Sequence, residues 1–396
     1  MTPVLFVPSL CDAIDRRILA HWGNQDPVDQ LQPAKPGTRE KNGHQPPTRL
    51  ANKYVTIPTS DGQCIRGVVN NSVATLSARF RRDLKLPVII APMFLVSGPE
   101  LVVAGAKAGV VGSFPTQNAR TIEQLREWFD RIRTDLAKVR EHCGRPGGWA
   151  VSLIVHPSYD RFAQELELLT EYRPELVVTA LGSPGRVLDA VHGYGGAVFA
   201  DVMSLKHARK AVDAGVDGLV LVCSGAGGHT GSYSPFAFVN EVRRFFAGPL
   251  VIGGAISDGR GIRAAEVLGA DLVYMGTRFI ACPESLVNDE YRSMLVRAGM
   301  DGIVTTKAVT GVLCNWLKES VAAAGLDETQ LAAQAKIDFS NVHGEHKPWK
   351  NIYGAGQGAG SVDRVASVAE VVEQLLAEYR AIGIGRPQDR RVSGLD

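Results

Sequence analysis

One histidine stands where chemistry could be done. His229 lies in the run Ser224-Gly225-Ala226-Gly227-Gly228-His229-Thr230-Gly231, directly after the apolar stretch GLVLVCSG (218–225). Its neighbours are small, so the ring can project over a flat ligand. A neutral imidazole with an ordinary pKa of about 6.5 suits proton abstraction near neutral pH. The plainer reading is a turn hydrogen bond, but a wholly small-residue surround favours chemistry.

Two further turns suit an anion. Gly253-Gly254-Ala255 is followed by Asp258-Gly259 and a helical stretch, and Gly276-Thr277 by Arg278 and another. Glycine lets the backbone close on a phosphate, and helix starts supply N–H groups and a favourable dipole. Thr277 can add a hydroxyl and Arg278 a charge. Either glycine turn alone could simply join a strand to a helix; two at this spacing point to phosphate.

Other residues carry weaker signals. Ala91-Pro92-Met93 ends another apolar run. Asp201 ends GAVFADV (196–202) and could bind a ligand or cap the helix that starts near Ser204. Cys223 has apolar neighbours and no evident cationic partner, which describes a packing thiol. His156-Pro157 reads as a turn; His142, His192 and His207 read as solvated positions on helices or helix ends. The Gly354–Gln357 segment does not follow a strand, so it is not a dinucleotide fingerprint. HExxH, paired-histidine, carboxylate-cluster, GxSxG and Walker patterns are lacking, and no metal is expected.

Eight apolar runs must position these groups: 87–93, 109–113, 149–155, 176–181, 196–202, 218–225, 249–255 and 271–277. Helical patterns fill the gaps, at 99–108, 121–140, 160–171, 184–192, 204–214, 236–246, 260–268 and 285–299. Continuous apolar runs are the mark of strands buried on both faces. Eight βα units in succession predict an α/β fold of the (β/α)8 TIM-barrel type rather than an open sheet. Its active face is the strand C-terminal end, where the singled-out residues fall. The TIM barrel is expected over 86–396, with a helical insertion near 300–350, a Gly-rich loop at 351–360 and a closing helix over 361–383. Residues 1–85 read as an N-terminal arm and lead-in. Within them 25–50, rich in proline and charge, predicts a flexible, partly disordered arm, and 53–72 holds short β-like runs about Ser60-Asp61-Gly62.

Composition narrows the class. The 396 residues carry Lys+Arg 43 against Asp+Glu 41, net +2, so no bulk field draws nucleic acid or an anionic membrane. Glycine numbers 42, above the roughly 28 that an average of about 7% would give. No window of about 18 apolar residues exists to span a membrane. The start makes a poor signal peptide. Cys11, Cys64, Cys143, Cys223, Cys282 and Cys314 lack metal or disulfide spacing, so a cytoplasmic protein with reduced thiols is expected. A homodimer is left open.

Taken together, VIIAPM, the GAGGHTG loop, VIGGAISDGRGIRAAEVLGADLVYMGTRFIA and WKNIYGAGQGAG resemble the nitronate monooxygenase family, formerly called 2-nitropropane dioxygenases. The resemblance runs from about Leu86 to Gly383. It implies an FMN barrel that oxidises alkyl nitronates with O2 to carbonyl compounds and nitrite, a small-molecule enzyme without metal or nicotinamide. It implies His229 as the catalytic residue. It places Gly253, Gly254, Ala255, Gly276 and Thr277 at the flavin phosphate and Ala91, Pro92 and Met93 beside the ring. Ala226 and Gly228 of the histidine loop, and Gly356 and Gln357 of the late loop, approach the cofactor. Asp201 falls where some members carry a flavin-contacting lysine. An acid there would not favour the electron-rich reduced flavin. An FMN-dependent enoyl-thioester reductase using NAD(P)H shares the barrel and the GGHxG loop and is the alternative; a flavin-binding barrel without catalysis is the second.

Overall fold

The eight apolar runs are short because each crosses a barrel wall once. In the computed structural model, residues 53–58, 64–69, 84–143, 146–326 and 351–382 are described. The flexible arm expected over 25–50 lies outside them. β1 (Lys53–Pro58) and β2 (Cys64–Val69) pair antiparallel on either side of the Ser60-Asp61-Gly62 signal, with Pro58 opposite Cys64.

The barrel strands follow: β3 (Val88–Ile90), β4 (Gly112–Pro115), β5 (Trp149–Ile154), β6 (Leu176–Ala180), β7 (Ala197–Val202) and β8 (Gly218–Val222). After the two-residue β9 (Gly228–His229) come β10 (Leu250–Gly253) and β11 (Leu272–Met275). The eight barrel strands lie side by side in chain order and parallel, and β11 returns to pair with β3. A bridge from Ile89 to Val111, just ahead of β4, closes the ring. The open doubly wound sheet is thereby excluded.

Alternation along each strand makes two cores. Ile89, Val111, Ala150, Leu176, Val178, Ala197, Phe199, Val220, Val251, Leu272 and Tyr274 form the lumen. Their neighbours, such as Val198, Leu219 and Ile252, face the ring of helices. Phe199 is fully buried in the lumen, which stabilises by roughly 1.5–3 kcal/mol relative to exposure. Gly218 makes room for it, since a Cβ there would lie 2.5 Å from the Phe199 ring.

The closing helix spans Val368–Ala381 and starts with a capping box between Ser367 and Glu370. Val368, Val371, Val372, Leu375, Leu376 and Tyr379 form its buried stripe, the helical spacing read from the sequence. The stripe packs on helices Pro99–Ala108 and Gly259–Leu268. Arg263 stacks over the Tyr379 ring at 3.6 Å.

Three expectations are corrected. The described part of 300–350 is not mainly helical. It holds an antiparallel pair, β12 (Ile303–Thr306) and β13 (Cys314–Leu317), before a short helix Lys318–Ala323. β13 also pairs with β9, so a partner distant in sequence overrides local propensity. The stretch 285–299 is helical only over Asp289–Arg297, where Asn288 caps it, and a separate short helix Thr277–Ile280 precedes it. His192 is not simply solvated: it is half-buried, and its Nε2 lies 2.8 Å from the buried carboxylate of Asp217, which raises the imidazole pKa.

Candidate active site

His229 is fixed by strand pairing at the barrel mouth. Its backbone pairs with Cys314, and that of Gly228 with Asn315. The buried Asn315 donates from Nδ2 to Ala226 O at 2.7 Å. Thr230 N donates to Leu313 O at 3.0 Å, and its hydroxyl to Cys223 O at 3.2 Å. Ala226, Gly228, His229 and Thr230 are thus tied to the hairpin or to the end of β8. The half-buried imidazole has its pKa lowered by burial, so it is neutral at pH 7. That is the form a general base requires.

The glycine turns meet beside it. Gly225, at φ +86°, touches both Ala255 and Gln357: a Cβ would lie 2.9 Å from Ala255 Cβ and from Gln357 Oε1. Gly225 O accepts from Ala255 N at 3.3 Å and from Gln357 N at 3.0 Å. Thr277 Oγ1 accepts from Gly356 N at 2.9 Å. Gly254 sits at φ +135°, and a Cβ would lie 2.8 Å from Ser224 O. Ala255 holds φ +55°, a conformation that costs a non-glycine residue roughly 1–2 kcal/mol. Such strain is characteristic of functional turns.

The end of β3 forms the wall next to the Gly276 turn. Ala91 N donates to Met275 O at 3.1 Å, and a Cβ on Gly276 would lie 3.2 Å from Met93 Sδ. Asn118 holds this loop from Nδ2, donating to Met93 O at 2.9 Å and to Ser97 O at 2.8 Å. Its Oδ1 accepts from Leu95 N, 2.9 Å away.

Asp201 and Tyr274 reach the upper lumen. Each continues the inward parity of its strand, after Phe199 and Leu272 respectively. Asp201 remains partly accessible, but its Oδ1 is buried without a hydrogen-bond partner, as is the Tyr274 hydroxyl. Burial pushes the Asp201 carboxyl up to about 7 and the Tyr274 phenol well above its usual value. Asp201 does not cap the following helix; Ser204 does, accepting from His207 N at 3.2 Å. An unsatisfied buried polar group costs about 1–3 kcal/mol.

The structure therefore gathers His229, Ala226, Gly228, Gly253, Gly254, Ala255, Gly276, Thr277, Gly356, Gln357, Ala91, Pro92, Met93 and Asp201 around the C-terminal ends of the strands. Two details of the anion reading change. Arg278 is buried, and its Nη2 donates to Gln374 Oε1 of the closing helix at 2.8 Å, so it braces that helix. The N-terminus of helix Gly259–Leu268 is already met by carboxylates: Gly259 N donates to Glu378 Oε2 at 2.8 Å and Gly261 N to Asp258 Oδ1 at 2.7 Å. Cys223 is fully buried, with its thiol pushed up to about 12 by desolvation, and is inert packing. His156 shapes its own turn, with Nδ1 2.6 Å from Ser158 Oγ and accepting from Ser158 N at 3.2 Å. Sequence reasoning missed Asn118, Tyr274 and Asn315. Tyr274 carried a faint signal, as a hydroxyl amid an apolar run. Among the described residues no group of three or more His, Cys, Asp or Glu could hold a metal, and no helix is long and apolar enough to cross a membrane.

Cofactor fit can be judged on this geometry. At Gly254 and Gly276 a Cβ would meet Ser224 O at 2.8 Å and Met93 Sδ at 3.2 Å, so both turns are bare backbone at the barrel mouth. The two orphaned lumen oxygens await a polar ring edge. These features fit a flavin.

Comparison with known proteins agrees. The family model described as nitronate monooxygenase matches residues 150–378. A nitronate monooxygenase from Pseudomonas aeruginosa is 30% identical over 361 residues, spanning 77% of this chain and 100% of that protein. A (3aS,4S,5R,7aS)-5-hydroxy-7a-methyl-1-oxo-octahydro-1H-indene-4-carboxyl-CoA dehydrogenase from Mycobacterium tuberculosis is 29% identical, spanning 57% of this chain and 61% of that one. The solved nitroalkane oxidase of Streptomyces ansochromogenes superposes with TM-score 0.65 at 21% identity, over 77% of this chain and 98% of that one, and shares the fold.

Proposed function

This chain belongs to the nitronate monooxygenase family of flavin-dependent oxidoreductases, and from that premise we propose that it binds FMN and oxidises alkyl nitronates with O2 to a carbonyl compound and nitrite. The observation that carries the reading is the meeting of His229 with the Gly253–Ala255, Gly276–Thr277 and Gly354–Gln357 turns at one barrel mouth.

FMN, when bound, supplies the acceptor for the substrate's electrons and the donor to O2. The chain supplies position and protons. Gly253, Gly254, Ala255, Gly276 and Thr277 would hold the phosphate, with the Thr277 O–H available to donate because its oxygen already accepts from Gly356 N. Ala91, Pro92, Met93, Ala226, Gly228, Gly356 and Gln357 would line the site of the ring. His229 does the proton work. Its neutral ring removes the α-proton of a neutral nitroalkane, and the imidazolium so formed holds the nitronate anion beside the flavin. A substrate that arrives as nitronate skips the first step. Asn315 and the β9–β13 pairing hold the backbone that carries the imidazole, which favours the geometry that proton transfer needs.

Reduction of an enoyl thioester with NAD(P)H is the competing reading. It keeps a footing because one relative is a carboxyl-CoA dehydrogenase. Anaerobic mixing separates the two. Bleaching of the flavin absorbance by an alkyl nitronate, with recovery on admitting O2, supports the proposal. Bleaching by NADH with no response to nitronate transfers the assignment to thioester reduction. No response to either reductant leaves a flavin-binding barrel without this catalysis.

A further inference from the structure

Among the described residues, Asp201 and Tyr274 are polar groups of the upper lumen that lack a hydrogen-bond partner at a buried oxygen. They project from β7 and β11, separated in the ring by β8 and β10, into the same space. Asp201 is partly accessible, so a ligand entering by the mouth can reach it. The adjoining strand segments, Leu176–Ala180 of β6 and Gly218–Val222 of β8, carry no titratable side chain. Tyr274 is the titratable group that senses the Asp201 charge, and His229 is the one carried on the loop after β8. Among the described residues no cation shifts the carboxyl toward its ionised form; burial is the cause of its raised pKa.

We propose that Asp201, as a neutral acid, and Tyr274 present two O–H donors from the barrel lumen to the polar edge of the flavin ring, whose carbonyl oxygens and ring nitrogens accept them. The assignment rests on the flavin reading above and adds to it the state in which Asp201 works. It also removes a difficulty. A carboxylate beside the flavin would oppose the negative charge that reduction brings; a carboxylic acid donates to it.

The test is equilibrium dialysis of FMN from the full-length holoprotein between pH 6 and 8.5. Asp201 loses its proton across this range, with its midpoint at about 7. If FMN binds only the acid form, the wild-type Kd weakens with rising pH by up to about 30-fold. Asp201→Asn keeps a neutral donor of the same shape, so its Kd stays near the wild-type acid value. FMN's own phosphate ionises near pH 6, but wild type and variant share that effect and their ratio removes it. Tyr274→Phe weakens binding by about 5-fold at every pH, the worth of one hydrogen bond, without flattening the profile. A flat wild-type profile, or an equal slope in Asp201→Asn, overturns the inference and leaves the flavin reading standing. A Kd that tightens with pH makes Asp201 an ionised acceptor and overturns it as well. Failure to retain FMN at any pH overturns the flavin reading itself.

Discussion

Gly356→Ala tests whether the mouth is held shut at one point. Gly356 lies at φ −89°, ψ 172°, extended backbone that alanine adopts without strain. The substitution therefore isolates a steric effect. The new Cβ would stand 2.6 Å from Gly225 O, 2.9 Å from Gly227 N and 3.2 Å from Thr277 Oγ1. Two of these atoms are backbone and cannot rotate away. The reverse contact is equally tight, since a Cβ on Gly227 would lie 2.8 Å from Gly356 N. Overpacking of this kind costs about 1–3 kcal/mol. At about 2–4 °C per kcal/mol, Tm should fall by roughly 2–12 °C. The Gly225 and Thr277 bonds to the late loop should loosen with it, so FMN retention should also drop. Thermal unfolding and flavin content after gel filtration read the two effects. Gly193→Ala, where a Cβ meets nothing within 4 Å, serves as the control and should change stability by under about 1 kcal/mol. Unchanged Tm and unchanged flavin content in Gly356→Ala would refute the packing argument.

Four further outcomes are expected. His229→Asn should lower turnover of neutral nitroalkanes by about 10²–10⁴-fold and affect pre-formed nitronates much less; equal losses on both, measured by oxygen uptake, would reassign the ring to anion binding. Because burial lowers the His229 pKa, wild-type activity on neutral nitroalkanes should be full at pH 7 and lost only as pH falls through that lowered value, below 6.5; a loss centred above 6.5 would contradict the burial argument. Gly254→Val should reduce FMN occupancy, since at φ +135° its Cβ meets Ser224 O at 2.8 Å. Cys223→Ala should leave the pH profile and thiol-reagent sensitivity of activity unchanged, because a thiol pushed up to about 12 carries no thiolate at working pH; inactivation of wild type by a thiol reagent, absent in the variant, would contradict this.

The barrel was legible because its strands are buried on both faces. Runs such as LVVTA (176–180) and GLVLV (218–222) are uninterrupted by charge, and helical periods of matching length separate them. The glycine turns were legible for a different reason: glycine is required where backbones meet, and the 2.6–2.9 Å clearances at Gly225, Gly227, Gly254 and Gly356 are such meetings. The hairpin β12–β13 was not legible. Ile303–Thr306 and Cys314–Leu317 are too short to show a period, and what makes them strands is pairing with each other and with β9, far upstream in the chain. The support of His229 was hidden with it, because Asn315 gains its role only through that pairing.

Asp201 shows how position and chemistry separate. Alternation along β7 is enough to put it in the lumen with Ala197 and Phe199. Its residue type then implied a negative charge beside an electron-rich cofactor, which looked unfavourable. The surroundings reverse that conclusion. A carboxyl in an apolar barrel, flanked by strands without cations and unsupported by hydrogen bonds at Oδ1, keeps its proton up to about pH 7. The same apolar runs that made the strands legible are what hold the acid neutral. The fold thus converts a residue that would oppose flavin reduction into one that can donate to it, and only the three-dimensional neighbourhood, with Tyr274 across the lumen, carries that information.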